Sequence, residues 1–340
     1  MSANNREEES AAGAGGGSRR SRRYPANMQG VLQMSIANST TDDNRTESSN
    51  AVPMSEERRQ WLNQALSDMS VDVIREMKQN LDNLRSADAT TEVKEVSLDN
   101  LIEWCENLDL AQDFHKIGGY ESLGDLLRDE NPEIRSRAAD LIATLVQNNP
   151  YCQQRALEFD LMPSLLALLD DDNDDRVKIK ALYAVSCMAR EFDAGKEEFV
   201  KNDGFSHLLR AMQLDVEKLQ IKAVFLLKAL CVDESKYKDM LCDMGMVEQL
   251  VGLLITEHKP FHEHLLGALV NLVDDADGRS SRLISECRRP EFELRKVLLE
   301  RIELVKGHDE YREEKEYAEK LLGVCFGVGD NSAVSEQCDR

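Results

Sequence analysis

The sequence predicts an all-α chain, a solenoid of short helices stacked on one continuous core. Three observations carry this prediction. Apolar residues recur at the 3.6-residue spacing of amphipathic helices, without strand-like alternation between them. The 340 residues include only seven prolines and 5% aromatics, a balance that suits helices better than a sandwich or barrel. Four segments repeat one pattern: an apolar helix, a polar turn and a longer apolar helix.

Residues 1–51 are rich in Ser, Gly, Asn, Ala and Arg, and bury too little apolar surface to offset chain entropy. They are expected to form a disordered N-terminal arm. Two islands interrupt it, the basic run Arg19-Arg20-Ser21-Arg22-Arg23 and the apolar stretch containing Val31, Leu32, Met34 and Ile36. Order is expected from Met54, where Ser55 can cap a helix and Glu56 and Glu57 sit near its positive end. Trp61, Leu62, Ala65, Leu66 and Met69 form one stripe, and Val73, Ile74, Met77, Leu81 and Leu84 a second. A further helix runs from Val93 to Leu108, so 52–108 are read as N-terminal capping helices.

The repeats follow over 109–275. Their first helices begin at Gly118, Asp160, Asp203 and Gly245, spaced 42, 43 and 42 residues; the second markers Ala138, Ala181, Ala223 and Leu265 are spaced 43, 42 and 42. A helical repeat of about 40–47 residues is the armadillo/HEAT range. Four armadillo-like repeats in a right-handed superhelical solenoid are therefore expected. Residues 276–327, including an amphipathic stretch at 290–322 that does not match the unit, read as C-terminal capping helices, and 328–340 as a flexible tail.

The net charge is −22, from 42 basic and 64 acidic residues. Residues 1–51 sum to zero (six Arg against six Asp/Glu), so the helical body carries all of it. Such a body repels nucleic acid and anionic lipid, and no 18-residue apolar stretch could span a bilayer. No nucleic acid and no membrane are expected as partners. Eight cysteines without CxxC pairing read as small core residues of a reducing compartment. With no apolar leader and no retention signal, the expected location is the cytoplasm, with the nucleus also open to the chain.

The motifs that would mark an active site fail individually. Asp170–Asp175 resembles a calcium loop but has Asp175 where Gly is required and Ala181 where Glu is required, which favours a solvated inter-helix turn. His258, His262 and His264 cluster without HExxH order, and Pro260 interrupts them; a surface or interface role is expected rather than metal. Gly13–Gly17 lacks the strand and the GK[ST] of a phosphate loop. No enzyme activity, cofactor or metal is predicted.

The last helix of an armadillo unit lines the concave groove. Superposing the units puts Arg137, Lys180, Lys222 and His264 at one position. Asp140, Tyr183, Phe225 and Gly267 follow three residues later, then Thr144, Cys187, Ala229 and Asn271 four beyond those. These form one helical stripe. A basic row beside Tyr183 and Phe225 suits a folded partner's carboxylates. A basic peptide is disfavoured, since the stripe would repel it and only Asn271 resembles the asparagine ladders that hold such peptides.

Several longer strings carry a resemblance. Gln29-Gly30-Val31-Leu32-Gln33-Met34, Pro53-Met54-Ser55-Glu56-Glu57-Arg58-Arg59-Gln60-Trp61-Leu62, Cys242-Asp243-Met244-Gly245-Met246-Val247 and Thr256-Glu257-His258-Lys259-Pro260-Phe261-His262-Glu263-His264 resemble the cytosolic heat-shock protein 70 binding proteins, a family of armadillo-type nucleotide exchange factors. The resemblance runs from about residue 27 to the C-terminal helices. It implies a monomeric co-chaperone that embraces one lobe of the chaperone's ATPase domain, opens the nucleotide cleft and accelerates ADP release. It also implies that the N-terminal arm, through Val31, Leu32, Met34 and Ile36, assists client release. The alternative is an armadillo scaffold or ubiquitin-pathway adaptor that binds extended peptides.

Overall fold

A computed structural model describes residue 60 and residues 73–231, 235–274 and 281–327. The chain divides into two units, residues 1–72 and 73–340, and the fold described is that of the second. The stripe Trp61–Met69, the arm residues Val31, Leu32, Met34 and Ile36, and the tail 328–340 lie outside the described residues.

Each repeat is built of three helices rather than two. The first holds α3 (Leu108–Lys116), α4 (Tyr120–Leu126) and α5 (Pro132–Val146); the second α6 (Pro150–Glu158), α7 (Leu161–Asp171) and α8 (Asp175–Ala189). The third holds α9 (Asp193–Lys201), α10 (Gly204–Gln213) and α11 (Glu217–Cys231); the fourth α12 (Ser235–Asp243), α13 (Met246–Leu254) and α14 (Phe261–Val273). Before them stand α1 (Val73–Arg85) and α2 (Thr91–Cys105). The short first helices escape the sequence pattern because their nine residues show few buried positions, such as Gly195 and Phe199 in α9.

The helices start where capping chemistry allows. Asn107, Asn131, Asn149 and Asp174 each accept a backbone N–H from the first turn of α3, α5, α6 and α8, while Pro132 and Pro150 open α5 and α6 without wasting a donor. Between first and second helices the backbone turns through the left-handed region, at Gly118 (φ 82°), Asp160 (52°), Asp203 (56°) and Gly245 (70°). Gly, Asp and Asn tolerate that region best. These four residues are the markers that open the sequence repeat.

A fifth such turn, Glu293 (φ 46°), follows α15 (Ser281–Cys287) and the 3₁₀ turn Pro290–Phe292, and precedes α16 (Leu294–Leu304). The long α17 (Arg312–Phe326) then packs beside α14, as each third helix packs beside the one before it. The C-terminal helices thus continue the three-helix geometry. Their kinship with the repeats is hidden in sequence because Gly245 to Glu293 spans 48 residues, not 42 or 43.

One hydrophobic core runs from Met77 in α1 to Cys325 in α17. Side chains such as Leu98, Leu101, Leu141, Leu182, Leu227 and Leu269 are fully buried, each stabilising by roughly 1.5–3 kcal/mol. Core sizes compensate between repeats. A Cβ on Gly119 or Gly204 would lie 2.4 Å from the ring of Phe114 or Phe199. At the equivalent places the second repeat pairs Ala156 with Leu161, and the fourth Leu241 with Met246. The seven described cysteines are free and buried.

The acidic loop Asp170–Asp175 is only in part the solvated turn expected from sequence: Asp171, Asn173 and Asp175 are exposed. Asp172 is almost wholly buried and accepts two hydrogen bonds from Arg135 of the preceding repeat, at 2.6 and 3.0 Å. Asp170 pairs with Arg210 and His207, and Asp174 caps α8. Asp170 and Asp172 thus join repeats, a use invisible until the neighbouring repeats are in place.

Candidate partner-binding face

The third helices α2, α5, α8, α11 and α14 lie side by side, and one stripe of side chains crosses them. In each crossing a residue of one helix meets the residue three positions earlier in register on the next. Asp99 of α2 accepts a hydrogen bond from Arg137 of α5 at 2.8 Å, and Asp140 of α5 holds Lys180 of α8 at 2.6 Å. Lys222 of α11 sits 5.3 Å above the ring centroid of Tyr183 of α8. Phe225 of α11 and His264 of α14 bring ring centroids within 4.9 Å. The rungs share one register and change chemistry along the stack, from ion pair to cation–π to ring contact.

This arrangement divides the predicted basic row. Arg137 also donates to Glu133 of its own turn and lies 3.7 Å from Glu95, so three carboxylates surround it. Lys180 is balanced by Asp140. Lys222 has no carboxylate partner among the described residues; burial, then the nearby Lys218 and Lys180, push its pKa down. Phe225 is 50% exposed. With Glu217, Lys218 and Ile221 these two residues line an open recess of about 500 Å³. Lys222, without a carboxylate partner among the described residues, and the half-exposed Phe225 ring are therefore adjacent on α11, while Arg137, Asp140 and Lys180 are ion-paired across or within the repeats.

Thr144, Cys187 and Gly267 are structural positions of the stripe. The Thr144 hydroxyl donates to the Asp140 carbonyl at 3.0 Å, and Cys187 is buried. Asn271 keeps a buried Oδ1 that has no partner among the described residues. Gly267 leaves room for Tyr317 of α17, whose ring lies 5.8 Å from Lys228 Nζ; a Cβ there would come within 3.3 Å of that ring. Sequence superposition found the positions but not their pairing. The signal was present, since an acid or an aromatic stands three residues after each base, one repeat earlier.

The histidines are not a surface cluster. His262 is wholly buried: its Nδ1 accepts from the Lys259 N–H at 2.9 Å, which leaves Nε2 to donate to the Leu253 carbonyl at 3.1 Å. Burial, then the Arg301 charge, depress its pKa to about 4. His258 pairs with buried Glu314 of α17 at 2.9 Å, and Arg301 of α16 bonds the Leu254 and Thr256 carbonyls. His264 faces the Phe225 rung. Among the described residues no group of three or more His, Cys, Asp or Glu could hold a metal ion, and no helix is long and apolar enough to cross a membrane.

The comparisons with known proteins agree with this architecture. The family model described as the SIL1/FES1/HPBP1 C-terminal domain matches residues 110–273, and that for nucleotide exchange factor Fes1 matches residues 28–114. Hsp70-binding protein 1 of Rattus norvegicus is 43% identical over 333 residues, covering 94% of this chain and 90% of that protein. The chain belongs to the SIL1/FES1/HPBP1 family. The Homo sapiens Hsp70-binding protein 1 is also 43% identical, over 94% of this chain and 89% of its own. A more distant member, the Hsp70 nucleotide exchange factor FES1 of Coccidioides immitis, is 38% identical over 113 residues, 33% of this chain and 53% of that one. Among solved structures, a designed armadillo repeat protein superposes with a TM-score of 0.59 at 20% identity, covering 73% of this chain and 99% of its own. Another, in complex with the peptide (KR)4, gives 0.60 at 19% identity over 72% and 99%. The fold of this SIL1/FES1/HPBP1 member is armadillo-like.

Proposed function

We propose that this chain is a nucleotide exchange factor for heat-shock protein 70, a co-chaperone that binds the ATPase domain and accelerates ADP release. The observation that carries the reading is the 43% identity to Hsp70-binding protein 1 across 94% of the chain, joined to fungal relatives named Hsp70 nucleotide exchange factors. The geometry suits that work. Exchange requires only that the partner be held better in its open, nucleotide-poor state; linkage then weakens nucleotide binding by the same factor, tenfold for every ~1.4 kcal/mol of preference. A stiff body with a preset surface provides such a preference, and the inter-repeat rungs supply stiffness. No residue of this chain need touch ADP, so the reading asks for no catalytic group.

On this face the contact to the chaperone centres on Lys222 and Phe225, with Lys218 beside them. Arg137, Asp140, Lys180 and Tyr183 act by fixing the register beneath, and His264 and Asn271 extend the surface toward α17. The arm residues Val31, Leu32, Met34 and Ile36 supply the client-release step in this scheme. The factor works as a monomer in the cytoplasm. Extended basic peptides suit this surface poorly, because Lys222, Lys218 and Arg190 cluster without a compensating carboxylate on Lys222.

Titration calorimetry with the purified ATPase domain tests the assignment of the face. Lys222→Glu combined with Phe225→Ala is expected to weaken binding at least about tenfold, or ~1.4 kcal/mol, with helix content unchanged. Equal affinity in the double variant would move the binding face elsewhere.

A further inference from the structure

The C-terminal helices form a second concave feature that shares no residue with the third-helix stripe. It is an open cleft of about 610 Å³, within the range of ligand-sized sites. Cys287, Arg288, Arg289 and Pro290 at the end of α15 make one wall. Glu293 and, from α16, Leu294, Arg295, Lys296, Leu299 and Glu300 make the other, and Phe326 of α17 completes the lining.

Its chemistry runs against that of the whole chain. Four cations and two carboxylates line it, on a chain whose net charge is −22, and Glu286 and Glu291 pair with Arg289 from outside the lining. Arg288 uses its Nε to hold the Cys325 carbonyl, and among the described residues its charge meets no ion pair. Arg289 is stacked over Phe292 and shared with Glu286 at 3.2 Å, while Lys296 reaches Glu293 only at 3.5 Å. The cleft also has an apolar part, in which Leu299 is 49% exposed. Cations on both walls with an open leucine between their helices match neither a plain anion nor a plain aliphatic group. An anion would leave Leu299 and Phe326 uncovered, and an aliphatic ligand would leave Arg288 uncompensated.

We propose that the cleft formed by Arg288, Lys296, Leu299 and Phe326 docks an extended peptide of a partner protein in which acidic residues flank one or two aliphatic side chains. The aliphatic group covers Leu299 and Phe326, and the flanking carboxylates face Arg288 and Lys296. Charge complementarity against an acidic body makes such a peptide prefer this place to the rest of the surface. The chain's own residues 328–340, which follow directly after Gly327 and include Val334, Glu336 and Asp339, are the competing occupant.

Fluorescence polarisation with the full chain and a fluorescein-labelled Asp-Asp-Leu-Ile-Glu-Glu peptide tests this without any chaperone present, so its failure would leave the exchange reading untouched. Saturable binding in the range of roughly 10–100 μM is expected. It should weaken at least about tenfold, ~1.4 kcal/mol, in Leu299→Asp and in Arg288→Glu. Arg288→Lys and Lys222→Glu should both retain it, and a Lys-Lys-Leu-Ile-Lys-Lys peptide should not bind. Leu299→Asp alters an exposed position, which keeps the test valid should Arg288→Glu unfold α15. Absence of saturable binding by the acidic peptide would overturn the proposal, as would binding that survives Leu299→Asp. Binding that appears only after truncation at Gly327 would also overturn it, by assigning the cleft to the chain's own tail.

Discussion

Arg135 and Asp172 form a bidentate pair, at 2.6 and 3.0 Å, that joins the third helix of one repeat to the loop of the next. Lys94 and Asp129 hold the same places one repeat earlier, at 2.8 Å. Later in the stack the corresponding Lys178 and Gln220 turn back to carbonyls of their own repeats, at Asp170 and Met212. At this register position the polar tie is thus made at the N-terminal end of the stack, while other ties, such as His258 to Glu314, join the C-terminal helices.

Breaking this tie from the arginine side strands a carboxylate that is only 2% exposed. Arg135→Ala is expected to cost about 3 kcal/mol, because an uncompensated buried charge remains. Burial alone would raise the Asp172 pKa, but Arg135 and the Asp174 amide outweigh it and hold the carboxyl below its usual range. A depressed acid stabilises the fold above its unfolded pKa, near 3.9, and the contribution disappears as pH falls through the lower folded value. Urea titrations of wild type and Arg135→Ala at neutral and strongly acid pH check both points; the gap between them should close at acid pH.

Gly204 and Phe199 test size compensation within the core. Gly204→Ala places a methyl 2.4 Å from the Phe199 ring and is expected to destabilise by about 1–3 kcal/mol. Combining it with Phe199→Ala should cost less than the sum of the two single changes, because the clash disappears with the ring; the second repeat combines Ala156 with the larger Leu161 at these places. A double-mutant cycle measured by thermal unfolding reads the coupling directly; additive costs would contradict it.

His262 makes stability sensitive to mild acid. Protonation must occur at Nδ1, which now accepts the Lys259 N–H, so the charged ring loses that bond within a buried site. The folded pKa of about 4 lies below the ordinary 6.5. The stabilisation is therefore full above pH 6.5 and is lost as pH falls toward 4, by up to about 3 kcal/mol. Unfolding free energies from pH 7 to 4.5 should decline for wild type and decline less steeply for His262→Gln.

The repeat was legible because its markers are conformational. Gly118, Asp160, Asp203 and Gly245 recur where the backbone must turn left-handed, and the residues able to do so are few. The stripe Arg137, Lys180, Lys222 and His264 was legible from register alone. Its energetics were not, because Asp99 lies outside the four repeats and Asp140 was read as part of the face rather than as the partner of Lys180. The burial of Asp172 and His262 was likewise hidden: each owes its place to a neighbouring helix, and local pattern treats both as polar surface. Glu293 escaped notice because glutamate carries no signal for a left-handed turn.

Nucleotide exchange on heat-shock protein 70 is the activity the proposed function requires of this chain. Stopped-flow release of fluorescent ADP from the purified chaperone, chased with unlabelled ATP, measures it directly. The full chain at saturating concentration is expected to accelerate release at least about tenfold, which corresponds to a barrier to ADP escape lower by ~1.4 kcal/mol. Lys222→Glu with Phe225→Ala should require more protein for the same effect. An ADP release rate unchanged at saturation would contradict the account.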